Sequence, residues 1–219
     1  FFTETGDFDH VELNPLKKHI AINLAGDMFP LRFQPEKGPS FIDYGGFIKE
    51  LVQVIDNIFH LEKNVQIVFV PHIYADLKII SDVLENLDDG YRRERVSMAP
   101  YLQGDRGQNY IFDLYRKVDL VIGMRFHASV CPISLNTPTI GLGTCHHKIR
   151  DLYGELGLPE RFIDASQKNF GKKLTSLVVY SFSERERIRA KYNVIKQNLE
   201  VEMVSFCEHL RDTLNRFIS

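Results

Sequence analysis

The sequence has few cysteines and no long apolar run. Its three cysteines, Cys131, Cys145 and Cys207, include no C-x-x-C pair. This argues against a disulfide framework or a structural zinc site and favours a reducing cytoplasm. No apolar run approaches the roughly 20 residues that a membrane-spanning helix needs, and no signal peptide is visible. The expected localisation is therefore cytoplasmic.

An excess of charge of one sign is also lacking. The chain carries 27 Lys and Arg against 29 Asp and Glu, for a formal net charge of −2. This balance disfavours a strongly basic nucleic-acid binder, and no nucleic-acid partner is expected. The 219 residues suit one large α/β domain with a helical tail. Because the first residue is Phe1 rather than Met, we expect a longer protein whose amino-terminal part is missing here.

Short apolar runs alternate with amphipathic segments along the chain. Spacing predicts strands at 19–24, 65–70, 96–99, 119–124, 137–142 and 161–164, helices at 47–63, 76–87, 108–118, 125–135 and 146–156, and a turn at 88–90. This order is typical of a Rossmann-like α/β fold, a parallel sheet with helices on both faces. We divide the chain into a linker or irregular leading segment (1–18), a Rossmann-like donor-binding domain (19–182) and a carboxy-terminal helical extension (183–219).

Residues 119–128 (DLVIGMRFHA) carry the strongest chemical pattern. In open parallel sheets, ligands bind at the carboxyl ends of the strands. Here Gly123 ends a strand, and Arg125 and His127 follow where a helix begins. A helix amino terminus with a guanidinium and an imidazole suits phosphate or carboxylate, and Gly123 would let a ligand approach the backbone. The alternative is structural: Arg125 pairs with a neighbouring carboxylate and His127 caps the helix.

The next strand end, in residues 136–148 (NTPTIGLGTCHHK), should face the first one. Lys148 could neutralise the same anion, and His146 or His147 could move protons because imidazole titrates near neutrality. The alternative for the two imidazoles is a solvated turn. No third ligand can be placed beside them, so no metal site is predicted.

Three further segments have weaker patterns. Residues 105–108 could touch a ligand, although a polar loop with a helix cap is the favoured alternative. The long Pro- and Gly-rich loop that holds Arg32, Lys37 and Tyr44 could be a lid or an inter-lobe contact, or plain surface. The charged helix predicted at 183–218 is interpreted as a solvated face.

Together, the two strong segments resemble the signature of polysaccharide pyruvyltransferases, which read D-x-v-i-g-x-R-x-H, then g-x-P-x-i, then a Lys. The match is dense over residues 119–157 and extends weakly back to 69–72 and Asp76. The chain departs from the family pattern at Asn136, where a Gly is usual. It departs again at Thr144 and Cys145, where an aromatic is common.

The resemblance implies a two-lobed GT-B fold, of which this chain resembles the carboxy-terminal lobe. It implies phosphoenolpyruvate as donor and a sugar hydroxyl pair as acceptor, on a saccharide that can be lipid-linked at the inner face of the membrane. Arg125, His127 and Lys148 are expected to hold the donor, with Gly123 and His146 as further substrate contacts. His127 is the leading acid or base candidate, with His146 or His147 second. No cofactor is implied, and the oligomeric state stays open.

Two other functions are compatible with these patterns. One is an ordinary GT-B glycosyltransferase lobe that binds a nucleotide sugar at the same strand ends. The other is a non-catalytic binding lobe that serves assembly with a partner.

Overall fold

A parallel sheet of six strands forms the centre of the computed structural model, which describes residues 11–144 and 147–218. The strands are β1 (Lys18–Asn23), β2 (Val65–Phe69), β3 (Val96–Met98), β4 (Leu120–Gly123), β5 (Thr139–Gly143) and β6 (Phe162–Asp164). They lie in the order β3-β2-β1-β4-β5-β6, and every neighbouring pair is parallel. The predicted parallel α/β sheet is confirmed.

Nine α-helices connect or follow the strands in the described ranges. They are α1 (Phe29–Arg32), α2 (Tyr44–Leu61), α3 (Asp76–Asn86), α4 (Asp89–Glu94), α5 (Gly104–Lys117), α6 (Phe126–Ser134), α7 (Lys148–Glu155), α8 (Phe170–Ser183) and α9 (Arg185–Ile218). Short 3-10 turns occur at Pro35–Lys37 and Pro159–Arg161. No helix of the described part is long and apolar enough to cross a membrane.

Successive side chains of a strand point to opposite faces of the sheet, so the apolar strands need a core on each face. Helices cover both faces and complete these two cores. Ile20 and Ile22 of β1 join the core under α2, α3 and α8. Ala21, between them, joins the core under α5 and α6. A third cluster, which includes Tyr153 and Tyr192, joins α6 and α7 to the first turns of α9. The two-faced pattern therefore accounts for continuous Val, Ile and Leu runs in the strands.

The longest helix packs along only part of its length. Ile188 and Tyr192 of α9 are buried, with 6 % and 0 % exposure. Beyond them, the large apolar side chains are exposed, including Leu199, Met203 and Phe206. The helix predicted in this region is confirmed, and its distal half makes little contact with the rest of the described chain.

Local chemistry explains where the structure differs from the sequence-based prediction. The turn predicted at 88–90 is wrong: Asp88 caps α4, accepting hydrogen bonds from the N–H groups of Gly90 and Tyr91. Helix α5 begins at Gly104, four residues before the predicted start. The predicted long loop contains α1 and a 3-10 turn, each with a Pro in its first turn.

Helix α8 was not predicted at all. Its buried positions, Phe170, Leu174, Val178 and Ser181, do have helical spacing. A buried serine and several exposed apolar residues, including Val179 and Tyr180, obscure that pattern in the sequence.

The strand order reverses at the centre of the sheet. Chain connections after β1 lead toward β2 on one side, whereas β4 lies on the other side of β1. A crevice opens where such connections diverge, at the carboxyl ends of the central strands. The residues that follow β1 and β4 therefore face each other there.

Candidate active site

A cavity of about 690 Å³ opens at the carboxyl edge of the sheet. We call it the main cavity. Its wall includes residues that follow four of the six strands, namely His72, Tyr101, Arg125, His127, Thr144 and Lys148. Three of these, Arg125, His127 and Lys148, are the residues that the sequence predicted to hold an anion. The fold thus brings the two strong sequence segments to one cavity.

Asn23, the last residue of β1, holds three strand ends together. Its side chain is fully buried. Its amide Nδ2 donates to the carbonyl of Val70 at 2.9 Å, and its Oδ1 accepts from the backbone N–H of Arg125 at 3.1 Å. The backbone of Asn23 also accepts from the N–H of Met124 at 3.1 Å. One buried amide therefore fixes the start of the Arg125 segment relative to β1 and β2.

Arg125 is paired with a buried carboxylate. Its Nε lies 2.9 Å from Oδ2 and 3.1 Å from Oδ1 of Asp76, and its Nη2 also donates to Oδ1. Asp76 has no exposed surface and accepts further hydrogen bonds from the N–H groups of Gly26, His72 and Ile73. Burial alone would lower the pKa of Arg125, but the hydrogen bonds and charges of Asp76 and Asp27 raise it. Arg125 stays a fixed cation.

A second acid–base pair extends this network. The carboxylate of Asp27 lies 3.2 Å from Nη2 of Arg125 and 3.0 Å from Nη2 of Arg32. Arg32 also donates from Nε to the carbonyl of Asp27 at 2.8 Å, and from Nη1 to Oγ1 of Thr144 at 3.1 Å. Burial alone would raise the pKa of Asp27, but Arg32 and Arg125 lower it by hydrogen bonds and charge. These ion pairs form one continuous network of alternating acidic and basic side chains, in the order Asp76, Arg125, Asp27 and Arg32.

The charge available to a ligand differs from what the sequence suggests. Arg125 does pair with a carboxylate, as the structural alternative stated, and it also lines the main cavity. Because two arginines face two aspartates, this network is nearly neutral. Lys148 is exposed in the first turn of α7 and has no ion-pair partner among the described residues. Lys148 therefore supplies the uncompensated positive charge of the cavity.

Two imidazoles line the main cavity in different environments. His127 lies in the exposed first turn of α6. The Nε2 of His72 lies 2.7 Å from the hydroxyl of the buried Tyr115. Burial, against the opposite effect of Asp76 and together with the charges of Arg125 and His127, lowers the pKa of His72 to about 4. His72 is consequently neutral at neutral pH, whereas His127 is open to solvent and ligand.

Two other predicted site residues, Gly123 and His147, are not part of the main cavity wall. Gly123 permits a close approach of α6 to the strand: a Cβ there would lie 2.4 Å from the carbonyl oxygen of Ala128. His147 is exposed and lies on a second cavity rather than beside His127. His146 and Cys145 are outside the described residues.

The second cavity has a volume of about 250 Å³ and is next to the main one. The two cavities share Arg32 and Thr144, whose hydrogen bond forms the boundary between them. The rest of its wall includes Lys37, Phe41, His147, Arg150, Phe162 and Asp164. The consecutive residues His147 and Lys148 thus line different cavities.

Sequence reasoning missed several residues of the site. Asp27 could have been found, because it follows the first strand and ligands sit at such ends. Asn23 was noticed only as part of a strand, although a buried amide there needs hydrogen-bond partners. Tyr115 gave no signal, since an aromatic residue in a helix usually belongs to the core. No group of three or more His, Cys, Asp or Glu side chains within 11–144 and 147–218 is placed to hold a metal ion.

Comparison with known families gives one match. A sequence model of the family described as Polysaccharide pyruvyl transferase matches residues 24–146, more than half of the chain. That segment includes Asp27, Asp76, Arg125 and His127. A search of curated protein sequences gives no match.

Solved structures share the fold at low sequence identity. A mutant O-GlcNAc transferase from Thermobaculum terrenum has a TM-score of 0.55 and 13 % identity, covering 97 % of this chain and 38 % of its own. The ADP-heptose LPS heptosyltransferase II of E. coli gives 0.53 and 11 %, with 80 % and 49 % covered. An α,α-trehalose-phosphate synthase (UDP-forming) from Burkholderia vietnamiensis gives 0.53 and 12 %, with 91 % and 46 % covered.

These likenesses show the fold, a Rossmann-like α/β domain of the kind found in GT-B proteins. The chain spans less than half of the length of each of these three structures.

Proposed function

The chain belongs to the polysaccharide pyruvyl transferase family, and from this premise we propose that it takes part in the transfer of pyruvate from phosphoenolpyruvate to a saccharide. The product is a pyruvate ketal on two sugar hydroxyls. The observation that carries the proposal is the convergence of Arg125, His127 and Lys148 on the main cavity. Phosphoenolpyruvate has a phosphate and a carboxylate, and such a ligand needs several fixed donors of positive charge.

The proposed roles follow from the contacts of each side chain. Arg125 is held side-on by Asp76 through Nε and Nη2, so Nη1 is its guanidinium nitrogen with the weakest protein contact, 3.5 Å from Asp27. We assign that nitrogen to the donor's carboxylate, which would replace its long contact with Asp27. Lys148, exposed and unpaired among the described residues, meets the phosphate. Preorganised cations of this kind stabilise negative charge on a leaving phosphate.

Ketal formation requires one proton to be added and two to be removed. The methylene carbon C3 of phosphoenolpyruvate is protonated, and a sugar hydroxyl oxygen bonds to C2 as it loses its proton. The C2–O bond to phosphate breaks, and the second hydroxyl oxygen bonds to C2 with loss of its own proton. Phosphate leaves with the electron pair of the broken bond and takes up one of the two hydroxyl protons, while the other balances the proton given to C3. We assign the protonation of C3 to His127, whose imidazole lies at the cavity and is exposed. The reaction has no net oxidation, so the proposal calls for no redox cofactor.

The acceptor and the complete enzyme belong to the proposal as well. Since the chain spans less than half of its structural neighbours, we propose that a second lobe completes the cleft and contributes to acceptor binding. The acceptor is a saccharide of a cell-surface polysaccharide, which can be lipid-linked. A cytoplasmic site of action, at the inner face of the membrane for a lipid-linked acceptor, is consistent with this chemistry.

A second candidate function has one observation in its favour. The wall of the main cavity includes apolar and aromatic side chains that follow β3 or lie on α5, among them Tyr101, Leu102 and Ile111. A nucleobase would fit such a wall, with its diphosphate directed toward Arg125. Two of the structural neighbours are named for ADP-heptose and for forming UDP, so a nucleotide-sugar glycosyltransferase lobe is the competing function.

Calorimetric titration tests the two functions against each other. Phosphoenolpyruvate and UDP are titrated separately into the wild-type chain, His127→Gln, Lys148→Gln and Lys63→Gln. Lys63 is exposed at the opposite edge of the sheet and serves as the charge-matched control. The proposal predicts saturable binding of phosphoenolpyruvate that weakens about tenfold in Lys148→Gln and is unchanged in Lys63→Gln.

Binding of UDP without a response to phosphoenolpyruvate would favour the glycosyltransferase function. If neither ligand gives a binding signal, a non-catalytic lobe is favoured. In the complete enzyme, near-full turnover by a folded His127→Gln variant would contradict the assignment of His127 as the acid.

A further inference from the structure

The second cavity is built of cations that the proposed donor site does not use. Arg32, Lys37 and Arg150 lie on its wall beside the imidazole of His147, whereas Asp164 is its one acidic side chain among the described residues. Asp164 is engaged locally, since its Oδ1 accepts hydrogen bonds from the backbone and side chain of Ser166. Three basic side chains and one carboxylate therefore line the cavity among the described residues.

These cations differ in how far neighbouring side chains neutralise them. Lys37 has no ion-pair partner among the described residues. Arg150 lies 3.3 Å from Asp151, but both side chains are more than half exposed. An exposed pair of that kind contributes little and leaves the guanidinium available to another anion. Arg32 is 9 % exposed, and it shares Asp27 with Arg125.

Backbone hydrogen bonds between two loops hold the wall in place. The N–H of Ile42 donates to the carbonyl of Ser166 at 2.8 Å, and the N–H of Lys168 donates to that of Ser40 at 2.8 Å. The loop that carries Lys37 is thus joined to the loop after β6. Phe41 and Phe162 add aromatic surface beside the cations. A sugar ring packs well on an aromatic face, and its phosphate would meet the cations.

We propose that the second cavity is an anion subsite for the phosphoryl group of a phosphorylated saccharide, and that this saccharide is the acceptor. The identification as acceptor rests on the proposed function, whereas the anion subsite does not. Arg32 and Thr144, which belong to both cavities, place the bound sugar next to the donor. The same phosphoryl chemistry is found in a soluble sugar phosphate and in a lipid diphosphate-linked sugar.

Amide chemical shifts of the ¹⁵N-labelled chain test this proposal. The probes are inorganic pyrophosphate, glucose 1-phosphate and glucose, each with and without phosphoenolpyruvate. Lys37→Gln/Arg150→Gln removes two charges of the second cavity, and Lys148→Gln removes one of the main cavity. Lys63→Gln/Arg187→Gln removes two exposed charges elsewhere and is the matched control.

We expect pyrophosphate and glucose 1-phosphate to shift residues 37–42 and 164–168 saturably. Affinity should fall about tenfold in Lys37→Gln/Arg150→Gln, and less than twofold in Lys148→Gln and in the control. Phosphoenolpyruvate should not displace the probe. A glucosyl diphosphate with an octyl chain then separates the sources: tighter binding indicates a lipid-linked acceptor, and equal binding a soluble one.

Three results would overturn the proposal: no saturable shift with either anion, shifts centred on residues 125–130, or equal affinity in Lys37→Gln/Arg150→Gln. If the anions bind here but phosphoenolpyruvate binds nowhere, the anion subsite stands and the proposed function fails. If phosphoenolpyruvate binds the main cavity and both anions fail, only the subsite is rejected.

Discussion

The guanidinium of Arg125 lies side-on against the carboxylate of Asp76, with Nε 2.9 Å from Oδ2, and Asp76 has no exposed surface. The same carboxylate accepts N–H groups from the loops after β1 and β2. A single buried charge thus sets the position of three loops and the direction of one cation at the candidate site. The main effect of this ion pair is to position the loops and the Arg125 side chain, since Asp76 compensates the charge of Arg125.

Replacing Asp76 by Asn should therefore damage both stability and the site. An amide offers its NH₂ to N–H donors and leaves the partly buried Arg125 guanidinium with Asp27 as its remaining counter-charge. We expect a loss of about 2–4 kcal/mol in the free energy of unfolding, measured by urea denaturation. Asp89→Asn removes an exposed carboxylate that pairs with two arginines and should leave the urea midpoint nearly unchanged. Equal midpoints for wild type and Asp76→Asn would show that the pair does not anchor the loops.

Gly123→Ala should move α6. The added Cβ would lie 2.4 Å from the carbonyl oxygen of Ala128, so the helix that begins next to Arg125 must shift. We expect a loss of about 1–3 kcal/mol in stability and weaker binding of phosphoenolpyruvate by calorimetry. Gly154→Ala is the matched control, because its Cβ would meet no atom within 4 Å and alanine favours the helix. A Gly123→Ala variant as stable as Gly154→Ala would contradict the close approach.

Acid should destabilise the protein through His72. Burial lowers the pKa of His72 to about 4 in the folded state, compared with about 6.5 in an unfolded chain. The unfolded state therefore binds more protons between these values, so stability falls as the pH drops from about 6.5 to about 4 and is constant above that window. The loss amounts to at most about 3 kcal/mol. Urea denaturation at several pH values should show a shallower decline for His72→Gln; parallel curves would refute the low pKa.

The two halves of α9 should respond differently to truncation of one aromatic side chain. Tyr192 is fully buried, and its hydroxyl accepts from the N–H of Thr139 at 3.2 Å, so Tyr192→Ala should cost about 3–5 kcal/mol. Phe206 is 61 % exposed, and Phe206→Ala should change stability by less than about 0.5 kcal/mol. Thermal unfolding of both variants gives the comparison. A large loss for Phe206→Ala would reveal packing of the distal half.

Periodicity predicted most of the fold because strands and amphipathic helices are short-range patterns. The run at 65–70 and the apolar spacing at 47–63 correspond to β2 and α2 within two or three residues. Helix α8 was missed because its buried face includes Ser181, which a hydrophobic pattern does not count. Helix α4 was missed because Asp and Gly are typical turn residues. The sequence does not show that Asp88 caps a helix and that Gly90 lies in its first turn.

The candidate site was predicted only in part. Alternation of strands and helices placed Arg125, His127 and Lys148 at one edge of the sheet, and the structure puts all three on one cavity. The sequence did not reveal that Arg125 pairs with Asp76 or that His147 faces the second cavity. Their roles in binding and catalysis stay predictions for the experiments described here.

By itself, the sequence determined the parallel α/β class, the edge of the sheet where the candidate site lies and the residue types available there. Each follows from local spacing, since side-chain period and strand-to-helix order are properties of neighbouring residues. Only the tertiary structure decided which cations are compensated and which are free. Asp27 and Asp76 are 98 and 49 positions from Arg125 along the chain, and a charge is neutralised by what lies within a few ångströms in space.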